Sequence, residues 1–170
     1  MRATFWIPAL LVPLVEFGMT GCGGGDATPT ERLWISAVPT SPKTEITAFA
    51  TMRADGDKYL GAFFRGTLLR GRHDVFEWKD TGKGRASLRF LQDNTTASIR
   101  VETCKPTTGF DYCLLVHGDP TGAERYQSRK RWVVRRPGGR KNVGGAFVLD
   151  ALTELSDDDE DLAAALSQLD

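Results

Sequence analysis

From Leu33 to about Arg135 the chain alternates strand-like runs with turn signals. Such runs, bounded by turn residues, read as the strands of an antiparallel β-protein. Leu33–Val38, Glu45–Arg53 and Lys58–Leu69 read as the first strands, the last two joined through Asp55-Gly56, a strong hairpin pair. The next four strands are registered by their turns. A two-residue turn at Asp93-Asn94 pairs Leu88 with Ile99 and Ala86 with Val101. Setting Cys104 opposite Cys113 pairs Val101 with Val116, and a loop over Asp80–Gly84 pairs Trp78 with Ala86 and Phe76 with Leu88. Two core rows result: Trp78–Ala86–Val101–Val116 and Phe76–Leu88–Ile99–Gly118. A one-residue slip would turn every such side chain to the other face.

The other face then carries Glu77–Ser87–Arg100–His117 and Lys79–Arg85–Glu102–Leu115. Serine, histidine and a carboxylate in one row suggest hydrolysis, but strands lie about 4.8 Å apart. Ser87 and His117 would stand about 10 Å apart across Arg100, beyond the ~3 Å of a hydrogen bond. A solvated face with cross-strand charge pairs is expected instead.

A strand over Glu124–Arg135 and a shorter apolar run at Val143–Leu149 complete the pattern. The expected fold is mainly β: an antiparallel meander of about eight strands forming a small barrel or sandwich, residues 32–149. An acidic helix, residues 150–170, should follow. Ser156 would cap it, Asp157-Asp158-Asp159-Glu160 would form its first turn, and Leu155, Leu162, Leu166 and Leu169 would make a packing stripe. At 170 residues the chain supplies one modest core.

The N-terminus runs Met1-Arg2 and then apolar to Val15, interrupted by Pro8, Pro13 and Glu16. This suits a signal peptide, residues 1–21, better than a membrane span of about 20 apolar residues. Met19-Thr20-Gly21-Cys22, followed by Gly23-Gly24-Gly25, resembles the lipobox of bacterial lipoproteins. The resemblance implies cleavage before Cys22, diacylglycerol on its thiol, a flexible linker over 22–31, and a place in the cell envelope facing the periplasm or the exterior. Three cysteines are an odd number. With Cys22 lipidated, Cys104 and Cys113 remain to form a disulfide in an oxidising compartment.

Lysine plus arginine and aspartate plus glutamate number 22 each, which excludes nucleic-acid binding by global charge. The balance hides a split. Arg125, Arg129, Lys130, Arg131, Arg135, Arg136, Arg140 and Lys141 form a basic tract without acids, and the segment from Asp150 to Asp170 is acidic without bases. The basic tract either meets the acidic helix or faces an anionic partner: lipid, cell-wall polymer or an envelope protein.

No phosphate loop and no metal-ligand spacing stand out, so no cofactor or metal is expected. Thr121-Gly122 followed by Tyr126 and Trp132 resembles the Ser-Gly-x-x-Tyr motif of periplasmic inhibitors of C-type lysozyme, with threonine for serine and one extra residue before the tyrosine. That family implies a small barrel whose loop, here Thr121, Gly122 and Tyr126, blocks a lysozyme. The function expected first is a non-catalytic binding or structural module. A lysozyme inhibitor is the alternative, and an enzyme of unknown chemistry stands third.

Overall fold

The structure, a computed structural model, describes residues 28–41, 43–54, 58–67, 70–135 and 147–167. The signal segment, Cys22, the Asp55-Gly56 turn, Arg136, Arg140, Lys141 and Leu169 lie outside them. Eight antiparallel strands follow in chain order: β1 (Leu33–Ile35), β2 (Ile46–Arg53), β3 (Tyr59–Thr67), β4 (Arg70–Gly82), β5 (Arg85–Phe90), β6 (Thr96–Thr103), β7 (Tyr112–His117) and β8 (Arg125–Ser128). Each pairs with the next, and β1 pairs with β8 through Ile35 and Gln127, so the meander closes into a barrel.

The expected core face is correct, but two registers differ. Trp78 pairs with Leu88, not Ala86, and Leu88 pairs with Ala97, not Ile99. The cause lies in the turns. Lys83 and Gly84 both take positive φ (55° and 68°), which makes a tight two-residue turn with a bulge between Asp80 and Gly82. Asn94 (φ 58°) closes a longer loop, in which the Phe90 N–H donates to the Thr95 carbonyl at 2.9 Å. Each shift is of two residues, so no side chain changes face. Phe76, Trp78, Ala86, Leu88, Ile99 and Val116 are all buried. The β6–β7 register is as expected: Val101 opposes Val116, and Cys104 and Cys113 are joined by a disulfide.

Aromatic rings fill the barrel. Phe49 meets Tyr126 edge-on at 4.9 Å between centroids, and Phe63 lies 4.7 Å from Phe76. Trp34 and Trp78 complete this interior. Gly61 is required there, because a Cβ would stand 2.7 Å from the Ala50 carbonyl oxygen and 2.7 Å from the Phe76 ring.

A second apolar layer lies outside the barrel. The opposite side chains of β1–β3, including Leu33, Ile35, Ala48, Met52 and Phe64, are also buried. They are covered by α1 (Phe147–Ser156) and α2 (Glu160–Leu166). Val148, Ala151, Leu152 and Leu155 recur at helical spacing, and all four pack on this layer. Two expectations change here. Phe147–Leu149 open a helix, not a ninth strand. Ser156 ends α1, and the cap of the second helix is Asp159, whose carboxylate accepts from the Leu162 N–H. The strand expected over Glu124–Arg135 stops at Ser128. The chain then turns, with the Trp132 N–H donating to the Arg129 carbonyl at 2.9 Å, and Val133 bridges back to Arg32.

Candidate functional site

Three groups of polar side chains stand out. The first joins the basic tract to the helices. Asp159 is buried, and its carboxylate accepts from Arg129 Nη1 at 2.7 and 2.9 Å, from Arg131 Nε at 3.2 Å and from Trp132 Nε1 at 2.7 Å. Arg129 also pairs with Asp161 and lies 5.5 Å over the Phe110 ring. Burial alone would raise the Asp159 carboxyl. The hydrogen bonds from Trp132, Arg131 and Leu162, with the charge of Arg129, outweigh it and hold the group below the ordinary carboxylate range. This cluster clasps the helices onto the barrel. Of the other bases proposed for an anionic surface, Arg125 donates to the Lys105 carbonyl at 2.6 Å, while Lys130 and Arg135 are exposed.

The second group is the loop between β7 and β8. The Tyr126 hydroxyl donates to Asp119 Oδ2 at 2.6 Å, and the Thr121 hydroxyl donates to Asp119 Oδ1 at 2.5 Å. Burial, followed by the charge of Asp119, pushes the Tyr126 phenol up from its ordinary value. Tyr126 is fully buried in the barrel, and Gly122 is exposed at the tip. The tyrosine braces this loop from below and has no surface to offer a partner.

The third group lies on the outer face of β4–β7. Ser87 stands between Lys79 and Ser98, one row away from Arg85, Arg100 and His117. The expected Glu77–Ser87–Arg100–His117 row therefore does not form: the β5–β6 shift takes Ser87 away from Arg100, and the β4–β5 shift takes Glu77 away from Ser87. Glu77 meets Arg89 at 2.7 Å. Glu102 is shared between Arg100 at 3.2 Å and His117 at 3.3 Å. The side chains of Lys79, Lys83 and Arg85 have no ion-pair or hydrogen-bond partner among the described residues, and all three are exposed.

One feature of this region had no sequence signal beyond a threonine and proline pair. Residues 28–31, expected within the flexible linker, are bonded across the barrel mouth. Trp34 Nε1 donates to the Pro29 carbonyl at 3.1 Å, and the Glu31 N–H donates to the buried Thr51 hydroxyl at 2.9 Å. Below Pro29 lies a cavity of about 140 Å³ lined by Trp78, Asp80, Gly84, Arg85, Val101 and others. Searches against protein-family models, curated proteins and solved structures return no match to the chain.

Proposed function

We propose that the protein is a lipid-anchored component of the bacterial envelope whose barrel acts as a non-catalytic binding or structural module. The observation that carries this reading is the disulfide between Cys104 and Cys113. Such a bond suits an extracytoplasmic compartment, and it leaves Cys22, in Met19-Thr20-Gly21-Cys22, as the unpaired cysteine available for acylation. The filled interior also favours a surface role, since Phe49, Phe63, Phe76 and Tyr126 occupy the space where a small barrel would hold a ligand. Metabolic labelling with an alkyne fatty acid tests the anchor. The native chain should take up label and Cys22→Ser should not. Equal labelling of the two would overturn the proposal.

A further inference from the structure

The charge split of the sequence becomes a geometric one in the fold. α1 contacts β1, β2 and β3, so the seven acids from Asp150 to Asp161 lie on that side of the ring. Counted around the barrel, β5 to β7 are the strands opposite. Among the described residues no element covers their outer face, which is basic. Arg85 and Arg100 stand directly opposite one another on adjacent strands, with His117 next in the row, and two like charges so placed as the arginines cost stability. Glu102 offsets the Arg100 and His117 end of that row alone. Lys79 and Lys83 extend the patch toward the barrel mouth without carboxylate partners among the described residues.

The tether leaves at the same place. Pro29 lies over the mouth and shares one cavity with Gly84 and Arg85. Cys22 is six residues before Thr28. A chain spans at most about 3.3–3.6 Å per residue, so an acylated Cys22 would keep Pro29 at this mouth within roughly 25 Å of the membrane. Tethering at that distance raises the effective concentration of headgroups enough for weak sites to engage.

We propose that the outer face carrying Lys79, Lys83, Arg85 and Arg100 docks on anionic phospholipid headgroups of the membrane that holds the anchor, with the acidic helices turned away. The proposal rests on acylation at Cys22 for its geometry, but the charge recognition can be measured without it.

The test uses the full chain in vesicles of phosphatidylcholine, with or without phosphatidylglycerol. A photo-crosslinking residue replaces Thr81, beside the patch, or Glu154 on α1. With phosphatidylglycerol, the Thr81 position should crosslink to lipid at least about five-fold more than the Glu154 position, the weight of a single base near an anionic surface. Lys79→Glu with Lys83→Glu should abolish the difference, and so should high salt. Equal yields at the two positions, or yields indifferent to phosphatidylglycerol, would overturn the docking while leaving the anchor intact. In a second arm, Cys22→Ser chain is added to the same vesicles. It should sediment preferentially with phosphatidylglycerol and lose that preference in the Lys79→Glu, Lys83→Glu variant. No preference in this arm would overturn the charge recognition whatever the fate of Cys22.

Discussion

Replacing Asp159 by asparagine keeps its shape and removes its charge, leaving Arg129, with only 12% of its side chain exposed, to face a neutral amide. Breaking a buried pair on one side typically costs about 3–5 kcal/mol. Asp159→Asn should therefore lower unfolding free energy by about 3 kcal/mol at neutral pH. The pH dependence follows from the direction of the shift. The carboxyl lies below its ordinary value in the fold and near about 3.9 in the unfolded chain. Its contribution is present in full above that unfolded value and is lost as pH falls through the folded one. The stability gap between native and Asp159→Asn protein should thus close on acidification, as read from denaturant melts across the carboxylate range. A gap constant from neutral to strongly acidic pH would mean that the charge of Asp159 is not what holds the helices. Asp159 could not have been singled out in the sequence, where it is one of five consecutive acids. Burial beside Trp132 separates it from its neighbours, and burial here depends on contacts 27 residues away.

The disulfide ties the ends of β6 and β7 across a short loop, Cys104 to Cys113, nine residues apart. By the chain-entropy argument its removal should cost somewhat under about 3 kcal/mol. Cys104→Ser with Cys113→Ser should lower the unfolding free energy by that amount, read as a lower denaturant midpoint, and reductant should leave the variant unchanged. This pair was legible because an odd cysteine count and a strand register pointed to the same partners. The neighbouring hairpins were less so. Composition locates a turn but not its length: Gly82, Lys83 and Gly84 fit a five-residue loop as readily as the bulged two-residue turn that forms. The strand faces survived because alternation in β5 and β6 fixes parity, which an even shift preserves. Runs such as Leu33-Trp34-Ile35 and Ile46–Met52 carried a signal that alternation alone overlooks. They are apolar on both faces, as strands buried on two sides are. The outer layer under α1 was written there.

At the scale of the molecule, the barrel has an aromatic interior and a separate apolar layer beneath the helices. Truncation after Leu149 removes eight of the 22 acids, but it also uncovers the side chains of β1–β3 that Leu152 and Leu162 shield, among them Ile35, Met52 and Phe64. Each large side chain so buried is worth roughly 1.5–3 kcal/mol. The truncated chain should therefore melt at lower temperature and bind a hydrophobic dye, in addition to any gain in affinity for anionic surfaces. Unaltered melting without dye binding would show that the helices cover nothing. The ring itself is unevenly closed. β3 and β4 share nine paired positions, whereas β1 and β8 meet in register only at Ile35 and Gln127. The segment that leads toward Cys22 enters the fold at β1, beside this thin seam, and is pinned there by Trp34 and Thr51. Mechanical tension on an anchored chain would thus be delivered to the joint with the fewest paired strand positions in the ring. Under load the barrel should part between β1 and β8 and peel from that edge, while the long hairpin of β3 and β4 stays zipped.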